Sequence, residues 1–125
     1  MSSKDRDQHT LDAPLLNFSL GKALEQLKSE QQWKHEDKNS ITLLKNPELC
    51  VMLMAFHKGS RMPEHHTNTP ITFLVLSGAV RFTSERLPQV LQQNDLISLK
   101  KGIPHEVEAL EESAVLLTLI YDKTA

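Results

Sequence analysis

From Ile41 onward, short apolar runs are separated by turn-forming pairs, and no other feature limits the fold of this chain so tightly. The pairs are Asn46-Pro47, Lys58-Gly59, Ser77-Gly78, Asn94-Asp95 and Lys101-Gly102. Asparagine and glycine reach left-handed backbone cheaply, and proline cannot donate to a sheet ladder, so each pair ends a strand. The runs between them predict strands near 41–45, 49–57, 71–77, 79–83, 88–92, 96–99, 104–109 and 113–121. Short strands at this spacing build a sandwich or barrel. No long helical stretch separates them, which disfavours a parallel sheet with crossover helices.

The runs 49–56 and 114–121 are apolar at nearly every position. A strand with one wet face alternates, so these two predict cover on both faces. Met52 and Met54 share one face of the first, and Leu53 takes the other. The cover is either an N-terminal helix or a second subunit, and a symmetric homodimer is expected. In LNFSLGKALEQLKSEQQW, residues Leu20, Ala23, Leu24 and Leu27 share one helical face, and Ser19 suits the N-cap. The expected organisation is an N-terminal arm, 1–38, with a helix at about 19–31, followed by a β-barrel domain, 39–125. The first ten or so residues are polar and expected to fray.

Composition excludes several functions. At 125 residues and 39% hydrophobic content the chain makes one domain with a sufficient core. Its net charge is -2 and no basic run exceeds Lys100-Lys101, so neither nucleic acid nor an anionic membrane is an expected partner. The single cysteine, Cys50, lies in an apolar run and reads as a small buried hydrophobe. There is no apolar leader and no run long enough to cross a bilayer, so a soluble cytoplasmic protein is expected. Four glycines leave none for a phosphate loop, and no G-x-S-x-G elbow is present.

Chemistry therefore falls to the histidines. His9 and His35 lie in polar segments, whereas His57, His65, His66 and His105 lie in the β region. A catalytic zinc or iron takes three protein ligands and keeps a position open. Glu64 and Glu106 are near in sequence, but adjacent strand residues face opposite ways. His65 and His66 therefore cannot both point inward, and Glu106 points away from His105.

The stretch GSRMPEHHTNTPITFLVLSG, 59–78, resembles the first motif of the cupins, and NDLISLKKGIPHEVEA, 94–109, resembles the second. Gly59, His65 and Gly78 fit the first; Gly102 and His105 fit the second. The resemblance spans roughly 40–121 and implies a small cupin-type jelly-roll barrel, all-β apart from the N-terminal helix. It also implies a metal held by two histidines and a glutamate of the first motif and one histidine of the second. Here the second histidine position is Thr67 and the glutamate position is Ile71. Asn94, Lys100 and Ala109 replace the Gly, Pro and Asn of the second motif. Only His65 and His105 carry over as ligand types, and a shift of one residue would instead offer Glu64, His66 and His105.

Ile71, Phe73 and Val75 share one strand parity, so a carboxylate position becomes an apolar wall. The first functional expectation is a cupin binding a small molecule in the barrel. It would be lined by His65, Thr67, Ile71, Phe73, Val75 and His105, with metal absent or weakly held. The same residues also suit a barrel core simply filled with side chains. A second expectation is a metal-dependent enzyme, an oxygenase or isomerase. Zn, Fe, Mn or Ni would sit on His65 and His105, helped by His57, His66 or Glu64, and His105 is the best catalytic candidate. A third is a non-enzymatic sensor or scaffold subunit.

Overall fold

A computed structural model describes residues 13–121, so the expected fraying of the first residues lies outside the described part. Helix α1, Leu20–Ser29, and the short α2, Gln31–His35, precede the strands. These are β1, Lys38–Lys45; β2, Leu49–Phe56; β3, Arg61–His65; β4, Ile71–Ser77; and β5, Ala79–Ser84. They continue as β6, Leu87–Gln92; β7, Leu96–Leu99; β8, His105–Ala109; and β9, Ser113–Ile120. All paired strands run antiparallel, in one sheet of order β1-β2-β9-β4-β7 and another of order β3-β8-β5-β6. The result is a jelly roll with an N-terminal helix.

The structure adds one strand, β3, to the eight expected and begins β1 at Lys38 rather than near 41. Segment β3 contains Pro63, which cannot donate to a ladder, and three of its five residues are exposed. It survives as a sheet edge paired only to β8, where proline is tolerated.

The core between the sheets is built from alternate residues of the strands. It includes Met54, Phe56, Phe73, Val75, Val80 and Phe82. Phe73 meets Phe82 edge to face, with centroids 5.3 Å apart, a favoured aromatic geometry. A second apolar layer lies outside, where Leu27 and Trp33 pack on Ile41, Leu43, Leu53 and Ala55. This accounts for the two-sided apolar character of 49–56: Met54 faces the barrel and Leu53 faces the helix. The cover on that face comes from the chain's own helix.

Two devices fix the helix. Ser19 Oγ accepts the Lys22 N–H at 3.4 Å, the expected N-cap. At the other end buried Asn39 Nδ2 donates to Leu27 O at 3.0 Å and to Glu30 Oε1 at 2.9 Å. The Leu27 carbonyl also accepts the Glu30 N–H at 3.4 Å, so the amide adds a second, shorter bond at the helix end.

Gly78 turns the chain from β4 in one sheet to β5 in the other, with φ +84. Beside it Ser113 Oγ accepts the Ala79 N–H at 3.1 Å and donates to Glu111 O at 2.8 Å. By contrast, the β5–β6 hairpin places two non-glycine residues in left-handed backbone, Glu85 at φ 51 and Arg86 at φ 65. Both pay the Cβ–carbonyl clash of that conformation. Replacing the pair by Asn-Gly is expected to stabilise the fold by about 1 kcal/mol and raise the melting temperature by roughly 4 °C. A thermal melt checks it; an unchanged or lower midpoint would show that the turn carries no such strain.

Candidate functional site

Strands β3 and β8 pair so that His65 lies opposite His105. Opposed residues on one sheet face have neighbouring side chains, and these ring centroids are 4.4 Å apart at 58°. His65 Nδ1 bonds Pro63 O at 2.8 Å, and His105 Nδ1 bonds Ile103 O at 3.0 Å. A carbonyl only accepts, so in each ring Nδ1 carries the proton. Each neutral ring therefore keeps its lone pair on Nε2. The two carbonyls thus fix both tautomers, as outer partners do for ligating histidines.

His105 is buried, and its ring stacks on Phe82 at 5.4 Å with planes 5° apart. Burial holds its pKa below the ordinary imidazole value of 6.5. The Ile103 carbonyl opposes that shift, and the charges of His65 and His66 add to it. The fold therefore favours the neutral ring. Its share of stability is intact above the unfolded value of about 6.5 and is lost as pH falls from there through the folded value. A urea midpoint lower at about pH 5.5 than at about pH 7.5 is expected. His105→Gln, neutral at both, should narrow the gap; an equal gap in that variant would assign the effect to other groups.

The two rings border a small cavity of about 30 Å³. Thr67, Ile71 and Phe73 line it as well, and so do four residues not anticipated for the site: Met54, Met62, Val107 and Leu117. Val107 was readable, since it shares strand parity with His105. Met62 was not, because β3 was not expected to be a strand. The space is that of one or two waters, far below the roughly 300 Å³ of a typical organic-ligand site. Side chains fill the interior almost completely.

The remaining candidates lie elsewhere. Val75 shares the face of Ile71 and Phe73 but sits deeper, fully buried in the core and outside the cavity lining. Strand parity sets the face, not the depth. His57 stacks on Trp33 on the helix side, centroids 3.5 Å apart, and its Nε2 bonds Trp33 O at 2.8 Å. His66 is exposed. Glu64 lines an outer cleft with Glu85, Arg86 and Glu106, and Glu106 pairs with Arg61 at 3.6 Å. The shifted trio of Glu64, His66 and His105 is therefore not assembled. The bulge in β3 turns His65, not its neighbour, toward His105.

Against this donor set the family's metal does not fit. Among the described residues no three of His, Cys, Asp or Glu gather to hold an ion. At the glutamate position Ile71, 3% exposed, presents carbon to the cavity. At the second histidine position Thr67 spends its hydroxyl proton on Thr69 O at 2.8 Å. Two imidazoles leave Zn, Fe, Mn or Ni short of the three or four hard or borderline ligands they need. Among the described residues no helix is long and apolar enough to cross a membrane.

Comparison with known proteins agrees with this architecture. An uncharacterized protein of Aquifex aeolicus is 30% identical over 98 residues, covering 78% of this chain and 80% of that one. A Streptococcus pyogenes protein of unknown function superposes with TM-score 0.68 at 19% identity, over 92% of this chain and 94% of its own. Salicylate 1,2-dioxygenase from Pseudoaminobacter salicylatoxidans superposes with TM-score 0.77 at 12% identity, over 90% of this chain but 35% of its own. At such identities the two structures speak to fold alone. The cupin-domain family model matches residues 52–121, which include both histidines and the apolar wall between them, and the chain belongs to the cupin family.

Proposed function

We propose that this cupin is a binding protein that holds one very small ligand between His65 and His105 and runs no reaction through a family-type metal centre. The observation that carries this is the pair of tautomer-fixed imidazoles beside a small cavity of about 30 Å³ whose other walls offer no carboxylate. A two-histidine site for Zn, Fe, Mn or Ni lacks support because His57, His66 and Glu64 lie away from the cavity. General acid–base work by His105 also lacks support, since its ring is 4% exposed and no organic substrate fits beside it.

On this reading the protein works in the cytoplasm as a carrier or sensor rather than a catalyst. A homodimer would use a surface other than the outer face of β2, which α1 covers; exposed Leu96 on edge strand β7 offers one apolar alternative. Sedimentation of wild type and Leu96→Lys tests it.

Elemental analysis of protein purified without chelator tests the binding role. Well under one Zn, Fe, Mn or Ni per chain is expected. Full occupancy by any of them, held by three or more side chains, would overturn it.

A further inference from the structure

The two sheets have four edge strands between them, and three of these carry devices that block a further strand. Strand β1 has Lys38 and Lys45 at its ends and a bulge between Thr42 and Leu44. Strand β3 has Arg61, Pro63 and Glu64, and a bulge between Met62 and His65. Strand β6 has Pro88. Charge, proline and bulges are the usual means of blunting an edge. Strand β7, Leu-Ile-Ser-Leu, has none of them. Among the described residues its ladder runs to β4 alone, and no loop backbone bonds to residues 96–99.

The face beside this edge is uncharged as well. Register places Leu116, Leu74 and Leu96 in one row across β9, β4 and β7, and Thr118, Thr72 and Ser98 in another. Ile97 and Leu99 pack on the inner core, so Leu96 and Ser98 point outward. Leu116 belongs to the layer beneath α1, whereas Leu74 and Leu96 lie outside that layer, and Leu96 is 62% exposed. The outer face of the other sheet differs: Arg61 pairs with Glu106, and Arg81 with Glu108. A ladder of charges suits water; a leucine row running to an open edge suits a partner.

Deepening the homodimer reading above, we infer that β7 is the joint. The β7 edges of two copies pair antiparallel about a two-fold axis and join their five-stranded sheets into one sheet of ten strands. At four residues the edge supplies few ladder bonds, so the leucine rows brought side by side near the axis supply the rest. Charge selects a second copy as the occupant. A charged partner would give up hydration against this strip with nothing to pair with. A second copy brings the same uncharged strip, and a two-fold contact sets each strip against itself.

The test is sedimentation velocity of the full chain over roughly 1–300 µM, with hydrogen exchange read at both ends of that range. Wild type is expected to pass from monomer to dimer as concentration rises. Amides of β7 that do not bond β4 should exchange about tenfold more slowly in the dimer. Leu96→Lys sets two like charges near the axis and should weaken dimerisation about a hundredfold. Leu87→Lys replaces a leucine of similar exposure on the β6 edge and should dimerise as wild type does. Both side chains are exposed, so thermal midpoints at low concentration should match that of wild type.

A monomer at every concentration would overturn this inference together with the homodimer reading. A dimer indifferent to Leu96→Lys, or one lost to Leu87→Lys as well, would overturn the β7 joint alone. Slow exchange of the same amides in a monomer would mean that another segment of the same chain covers the edge, and would overturn it too. None of these outcomes bears on the small ligand of the barrel, which elemental analysis decides.

Discussion

Thr67→His combined with Ile71→Glu is expected to give a chain that holds one Zn(II) per molecule. Both positions line the cavity beside His65 and His105, so the variant would gather three imidazoles and a carboxylate on one space. Such a set satisfies the coordination that two histidines leave open. The single variant Ile71→Glu isolates the opposite effect. Ile71 is 3% exposed, and a carboxylate there has no partner in the absence of metal. That change is expected to cost about 3–5 kcal/mol. In the double variant, zinc at a hundredfold excess over its dissociation constant should return about 2.7 kcal/mol. Elemental analysis and thermal melts with and without zinc check both parts. A double variant that folds yet takes up no metal would mean that Thr67 and Ile71 do not face a common centre.

Gly78→Ala should be the most damaging one-carbon change in the protein. A Cβ there would fall on Glu112 O and Ser113 Oγ and lie 2.8 Å from Ser113 Cα. The nearest obstacles include backbone held in the β9 ladder, so they cannot swing aside as a flexible side chain would. The left-handed φ of +84 adds its own penalty. A loss of about 3–4 kcal/mol and a melting temperature lower by roughly 10–15 °C are expected. Urea unfolding measures it, and a loss below about 1 kcal/mol would mean that the crossing between sheets is looser than described.

Much of this fold was legible because its signals are local. Turn pairs such as Ser77-Gly78 and Asn94-Asp95 delimit strands whatever the rest of the chain does. The helix carried its own periodicity and cap. Alternation along β4 puts Ile71 and Phe73 on one face, and both line the cavity. Strand β3 was invisible for the opposite reason: RMPEH has little strand propensity and is held by its pairing to β8, about forty residues further on. Missing it hid Met62 and left the choice between His65 and His66 open. The depth of Val75 and the small volume of the cavity depend on how the two sheets approach each other, which no alternation pattern encodes.

The clamp of Asn39 on Leu27 and Glu30 has a mechanical consequence. A helix attached by grease alone can slide or lift by degrees. This one is also pinned at its exit by an amide buried in β1, so it must release wholly or not at all. Peeling it away would bare Leu53 and Ala55 and break the amide's bonds to Leu27 and Glu30 in one event, which welds the arm to the wall it shields.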